Sequence, residues 1–239
     1  MVDKIRRGLR WLEGVLLPHR CLLCGANGED GLDLCRGCGE DLPWNRHSCP
    51  RCANPLPPGS RPDSLCGACL SGETPRGFDR IHAPLLYDFP LDRLILNLKF
   101  HGQLATGRLL GELTAQALAS EGVRLPQALV PVPLHRRRWR ERGFNQAREL
   151  ARPMARRFQI PIADGLVHRR QHGPAQAELP LDQRRRNIRG LFKVRREPPG
   201  HVAIVDDVVT SASTVAELAR TLKQAGATRV DVWAIARTP

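Results

Sequence analysis

The chain has 239 residues, 41% of them apolar, which is enough to bury one full-sized core beside a smaller module. Lys and Arg number 37 against 24 Asp and Glu, and the formal charge of +13 favours polyanionic partners, nucleic acid or phosphorylated metabolites, without indicating a fold. No stretch is long and apolar enough to span a bilayer, and residues 2–18 mix Arg6, Arg7 and Arg10 with apolar positions and lack a small-residue cleavage site, so the chain reads as cytoplasmic.

Ile5, Leu9, Leu12 and Leu16 recur at helical spacing and predict an N-terminal amphipathic helix, docked on its own protein with the arginines outward. All eight cysteines follow before residue 72, in four pairs with two residues between: Cys21 and Cys24, Cys35 and Cys38, Cys49 and Cys52, Cys66 and Cys69. This spacing lets one tight knuckle present two sulfurs to one metal, and four such pairs with none left over point to zinc. Disulfides are disfavoured without a secretory signal, iron-sulfur ligation commonly uses other spacings, and a redox role for one pair is weaker still.

The two halves of the module echo one another, with a Leu-Cys-x-x-Cys knuckle at Leu34 and again at Leu65. Sequential sharing, first pair with second and third with fourth, is expected; an interleaved cross-brace is the alternative. Closed four-cysteine sites leave no open coordination position, so two structural zinc ions are predicted, and their thiolates bring the net charge to roughly +9. Residues 1–72 have few apolar runs of their own and need such a staple.

Residues 73–239 have a different texture. Residues 81–87 read as a strand, 91–100 and 104–120 as helices, and 128–133 as an apolar strand entering a loop. Residues 136–143 are too basic and irregular for a core element. Helical spacing resumes over 144–158, where Pro153 is a point of kinking or division. Residues 202–205 read as a buried parallel strand, 214–225 as a helix stopped at Gly226, and 230–235 as the last strand. Strands alternating with helices predict an α/β fold with a doubly wound, mostly parallel sheet.

The run Val205-Asp206-Asp207-Val208-Val209-Thr210-Ser211-Ala212-Ser213-Thr214 joins that strand to that helix. Hydroxyls and free N–H groups over 210–214 at a helix N-terminus favour a phosphate. The two acids upstream can accept hydrogen bonds from vicinal hydroxyls, as on a ribose, or help hold magnesium. Together they describe a sugar phosphate; the plain reading is an Asp-rich turn with an ordinary N-cap. The run resembles the phosphoribosyl pyrophosphate (PRPP) motif of type I phosphoribosyltransferases. That resemblance implies that Asp206 and Asp207 take the ribose and that Thr210, Ser211, Ala212, Ser213 and Thr214 take the 5′-phosphate. Ala212 stands where the family usually has glycine, which matters if the backbone needs positive φ or close phosphate approach.

Ahead of that turn, Pro131-Val132-Pro133-Leu134 leads into a cationic stretch ending Arg142-Gly143-Phe144-Asn145-Gln146, with Trp139 and Phe144 among arginines. With the cysteine pairs, Lys99 before His101-Gly102, Gln176 with Leu179, Arg186-Asn187 with Phe192, and the PRPP-like turn, the chain resembles the ComF family over nearly its full length. It departs around His172 and Gly173, where a threonine is expected ahead of Gln176. The resemblance implies a double zinc ribbon before a type I phosphoribosyltransferase-like domain, and a role in DNA uptake and utilisation in natural transformation. By the same analogy Arg136, Arg140 or Arg142 would meet the pyrophosphate, for which bidentate guanidinium pairing supplies the physical reason. Two functional classes follow. One is a protein that binds PRPP with magnesium and handles single-stranded DNA, alongside DNA-uptake machinery proteins, with Trp44, Trp139 and Phe144 available for stacking. The other is a metabolic phosphoribosyltransferase with an unknown acceptor.

Overall fold

The computed structural model describes residues 19–61, 63–170 and 190–239. The expected N-terminal helix, and His172, Gly173, Gln176, Leu179, Arg186 and Asn187, lie outside the described residues.

In the cysteine module two one-turn helices, α1 (Arg36–Glu40) and α2 (Gly67–Leu70), start directly after Cys35 and Cys66. Next come β1 (Arg80–His82) and β2 (Leu85–Leu86), where a single strand is expected. Pro84, which has no N–H to give to a ladder, lies in the gap. Helices α3 (Leu91–His101) and α4 (Leu104–Ser120) match their apolar periodicity, and β3 (Ala128–Pro131) follows.

The basic stretch forms a helix, α5 (Arg136–Arg142), in place of an irregular loop. His135 caps its start by accepting from the Arg137 N–H at 3.2 Å, Gly143 ends it in the left-handed conformation, and Arg137 pairs with Glu141 one turn on at 2.8 Å. Helix α6 (Gln146–Phe158) runs through Pro153 without dividing. Two short antiparallel strands, β4 (Val167–Arg169) and β5 (Phe192–Val194), precede β6 (His201–Val209), α7 (Ser213–Gln224) and β7 (Arg229–Arg237).

The main sheet is entirely parallel, in the order β1–β7–β6–β3, with β2 beside β7 further along the same edge. Strand β6 outruns the expected 202–205 because β7 stays in register to its end, with Asp206 opposite Ala234, Val208 opposite Ala236 and Val209 opposite Arg237. Both acids therefore sit on the strand itself.

Period-two alternation sorts the sheet's side chains into two cores. Leu129, Ala203, Val205, Trp233 and Ile235 join α3, α4 and most of α6 on one face. Val130, Val202, Ile204, Val232 and Ala234 join α7 and β4–β5 on the other. The cysteine module contributes to both: Cys21, Leu34 and Leu42 to the first, and Cys49, Cys52, Cys66 and Cys69 to the second. Polar ties reinforce this contact, since the Asn45 amide donates to the carbonyls of Ala53 (2.9 Å) and Ala83 (3.1 Å), and the Ile81 N–H donates to Arg51 O (2.9 Å). Gly111 sets the approach of α4 to α6, because a Cβ there would lie 2.5 Å from Leu150 O and 2.9 Å from Pro153 Cγ.

Connections leave neighbouring strands toward opposite faces. After β3 the chain passes to α6 on the first face, and after β6 it passes to α7 on the second. The crevice between the C-terminal ends of β3 and β6 is thus the switch point at which open parallel sheets bind ligands.

Candidate functional site

The eight cysteines gather into two sets, Cys21, Cys24, Cys35 and Cys38, and Cys49, Cys52, Cys66 and Cys69, with all four sulfurs of each set within 4.8 Å of one another. Sharing is sequential, as the internal duplication leads one to expect. A tetrahedral zinc with Zn–S bonds of about 2.3 Å spaces its sulfurs about 3.8 Å apart. The separations are 3.6 Å for Cys24 and Cys35, 3.5 Å for Cys52 and Cys66, and 3.8 Å for Cys49 and Cys69. They fit zinc and are far beyond the roughly 2.05 Å of a disulfide. The two sets differ in setting: Cys24 is exposed, whereas every cysteine of the second set is buried, and Cys69 Sγ lies 3.2 Å from the Thr74 hydroxyl.

The other concentration of chemistry is at the end of β6. The Asp207 carboxylate is buried and pairs with Lys99, from the last turn of α3, at 2.6 Å. Asp206 carries its ionisation far above the usual carboxylate range: burial is the main cause and the adjoining Asp207 carboxylate the next, while Lys99 works the other way. Thr210 and Ser211 are exposed, Ser213 and Thr214 half-buried, and the Ser211 hydroxyl donates to that of Ser213 at 3.0 Å.

Ala212 takes the left-handed conformation, with φ 57° and ψ 4°, and is the N-cap of α7 without any side-chain cap. The departure from glycine noted in the sequence thus falls on the one residue of the turn whose φ is positive. The first-turn N–H groups of α7 are left facing the turn, where an anion finds both donors and the helix dipole.

Of the arginines singled out in the sequence, Arg142 registers the charge of Asp207. It is half-buried, donates to the Gln146 Oε1 at 3.0 Å, stacks on the Phe100 ring at 5.5 Å and feels the Asp207 charge, which offsets part of the lowering that burial imposes. Arg140 is exposed; Arg136 opens α5, and its side chain lies outside the described residues. Two cations of the site carry no sequence signal. Arg169 of β4 is lowered by burial and raised by Asp206, and its Nε is buried without a hydrogen-bond partner among the described residues. Arg237 of β7 donates to the carbonyls of Val209 at 2.8 Å and of Thr210. Each is one arginine among the 37 Lys and Arg of the chain; the register of β7 against β6 brings Arg237 to the turn, whereas Arg169 stands on the separate β4–β5 ladder and is marked only by the charge of Asp206 that it feels. Trp44 and Phe144 are half-buried against the first core, with the Trp44 indole donating to Gly39 O at 2.9 Å, whereas Trp139 is exposed.

No helix among the described residues is long and apolar enough to cross a membrane. Residues 12–70 match the double zinc ribbon domain family. A hypoxanthine phosphoribosyl transferase of Trypanosoma cruzi aligns with 56% of this chain and 72% of its own at 17% identity and a TM-score of 0.35, a likeness too slight to add to what the sheet itself shows. Relatives of known name align far more completely. "DNA utilization protein YhgH" of Escherichia coli (strain K12) is 35% identical over 230 residues, covering 93% of this chain and 98% of its own. "Competence protein F" of Haemophilus influenzae is 33% identical over 230 residues, covering 91% and 96%. An alignment of that extent takes in the two cysteine centres and the parallel sheet together, and so the chain belongs to the ComF family.

Proposed function

We propose that the chain binds PRPP with magnesium at the 205–214 turn and serves DNA uptake and utilisation, holding single-stranded DNA on its basic surface. The observation that carries the ligand reading is the pair Asp206 and Asp207 on the end of β6, at the switch point, running directly into the N-terminus of α7. In this reading the two acids accept hydrogen bonds from the ribose 2′- and 3′-hydroxyls, and Lys99 holds Asp207 in place for them. The hydroxyls and N–H groups of residues 210–214 take the 5′-phosphate, and Arg142 meets the pyrophosphate. Magnesium, a hard cation suited to carboxylate and phosphate oxygens, enters with the PRPP and neutralises its charge.

The DNA reading rests on the names of the relatives, on the net charge of +13, and on α5, which carries five arginines and the exposed Trp139. DNA-uptake machinery proteins are the partners this role implies. The two cysteine centres serve as structural zinc sites in either reading.

Titration of the full chain with magnesium and PRPP, repeated with Asp206→Ala and Asp207→Ala, tests the site. Binding to the wild type with loss in both variants is expected, and equal binding in all three removes the assignment. Affinity for a single strand is expected to fall steeply with salt, and a salt-independent affinity counts against the DNA role. Release of pyrophosphate on adding a nucleophilic acceptor would make the protein a transferase.

A further inference from the structure

Helix α3 is apolar on two opposite sides. Leu91, Leu94, Ile95 and Leu98 are fully buried in the first core. At about 100° per residue, Arg93, Leu96 and Phe100 fall together on the side roughly opposite, and Phe89 stands four residues ahead of Arg93. Phe89 is 62% exposed, Leu96 40% and Phe100 68%. A helix lying on its own core normally keeps its outer side polar, whereas this one shows solvent two phenyl rings and a leucine.

Both rings carry a guanidinium. Arg93 lies over the Phe89 ring at 5.1 Å, and Arg142 of α5 lies over the Phe100 ring at 5.5 Å. The second pair joins the end of α3 to α5, and the two elements also meet at Gly102, where a Cβ would lie 4.0 Å from Phe144 Cε1. On α5, Arg138, Trp139 and Arg140 are exposed. The acids at the start of α3, Asp88 and Asp92, accept from the N–H groups of Phe89 and Arg93 at 2.7 Å each and offset the charge of Arg93. The stripe on α3 therefore supplies rings and little net charge, and α5 supplies the cations.

We propose that the outer side of α3, from Phe89 to Phe100, is the face on which a single strand of DNA stacks its bases, while Arg138 and Arg140 of α5 take its phosphates. The inference rests on the DNA-handling role proposed above and gives that role a location. An apolar stripe alone would suit a partner protein or a second copy of this chain. A guanidinium over each ring, and the arginines of α5 continuing the stripe on a chain of net charge +13, favour an anionic ligand with flat faces. The rings and Leu96 offer no hydrogen bonds to base edges, so the face reads no sequence, and a duplex, whose bases are stacked inside, gains nothing from it.

The test is fluorescence anisotropy of a labelled oligothymidylate with the full chain over a range of salt, with the melting temperature as a check on folding. Phe89→Leu and Phe100→Leu keep an apolar side chain and remove the ring. Each is expected to weaken single-strand binding about fivefold or more and to leave the salt dependence unchanged, because stacking releases no counterions. Phe100→Tyr keeps the ring and is expected to bind as the wild type does. The double variant Arg138→Gln with Arg140→Gln is expected to lower the slope of log affinity against log salt by about 1.4. Wild-type affinity in both leucine variants overturns the proposal, as does equal weakening of binding to the same strand paired with its complement. A wild-type dimer that Phe89→Ala with Phe100→Ala splits into monomers, single-strand affinity being retained, makes the stripe an interface between copies and overturns it as well. Should the wild type bind no single strand even at low salt, the DNA role itself falls and this face with it; binding that ignores both rings removes only the location.

Discussion

Replacing Ala212 by glycine tests the turn at its most unusual residue. The left-handed backbone at φ 57° costs a residue with a Cβ about 1–2 kcal/mol, which glycine would recover. Against this, the methyl group is buried in the second core, and its loss forfeits about 0.8 kcal/mol. The freer unfolded chain costs a further 0.4–1 kcal/mol or so. These contributions cancel to within about 1 kcal/mol, so the melting temperature is expected to move by no more than roughly 2–4 °C. Ala212→Val separates the terms, because a β-branched residue at positive φ is a steric outlier and the site is already filled; a loss of at least about 2 kcal/mol is expected. Thermal or denaturant unfolding of the two variants beside the wild type gives both numbers. A glycine variant destabilised by more than about 2 kcal/mol, or a neutral valine variant, would refute the reasoning. With PRPP as ligand, the glycine variant is expected to bind about as tightly as the wild type, since the methyl it removes is buried in the second core and glycine adopts the same left-handed backbone.

Asp206→Asn is expected to stabilise the free protein near neutral pH by about 0.5–2 kcal/mol while abolishing ligand binding. The sign follows from a folded-state ionisation raised above the unfolded one: the acid costs nothing at pH 3, the cost grows as pH climbs from the ordinary carboxylate range toward the raised one and then levels off, and asparagine removes it, so equal unfolding midpoints across pH would count against a perturbed Asp206. Gly111→Ala should gain about 1 kcal/mol of helix propensity in α4 yet lose more, roughly 1–3 kcal/mol, to the overlap with Leu150 O on α6; a net gain in melting temperature would refute that contact. Metal analysis should find two zinc ions per chain, with a chelator stripping the centre that contains exposed Cys24 before the buried one, and simultaneous release would contradict the difference in burial. Arg142→Ala is expected to weaken magnesium-PRPP by about 1.5–3 kcal/mol and Arg140→Ala by under 0.5 kcal/mol, and equal losses in the titration would show that α5 acts only through its total charge.

Much of this organisation is legible in the residues themselves. The paired spacing of cysteines and their internal duplication give both centres and their sequential sharing, because a two-residue knuckle is a local geometry. The helices α3, α4 and α6 follow from apolar periodicity, and the turn from its order of apolar strand, acids, hydroxyls and helix. What escapes is set by pairing across the fold. The extension of β6 to Val209 depends on the length of β7, and the split between β1 and β2 is punctuated only by Pro84. Helix α5 looks irregular as a charge run, yet arginine is a good helix former, and with His135 and Gly143 as caps the segment closes into two turns. Trp44 and Phe144 are indistinguishable from Trp139 by residue type, and only the packing shows them half-buried. Arg237 reaches the turn through the register of β7 against β6, and Arg169 through the tertiary placement of the β4–β5 ladder, neither of which a local window contains.

Under the proposed PRPP reading the site's charges suit its two ends to different parts of the ligand. The cations Lys99, Arg142 and Arg169 and the N-terminus of α7 favour phosphate, whichever molecule brings it. The acids do not, because a carboxylate offers only acceptors and repels a phosphate; it answers hydroxyl donors or a cation. A ribose with both 2′- and 3′-hydroxyls free satisfies the pair, whereas deoxyribose lacks the 2′-hydroxyl and its 3′-oxygen is esterified within a strand. Under the proposed PRPP reading Asp206 and Asp207 would select for a free ribose, and a DNA strand would gain nothing from them. In a protein that serves both, the strand belongs on the arginines of α5 and the outer basic surface, with the crevice between β3 and β6 left to the ribose ligand.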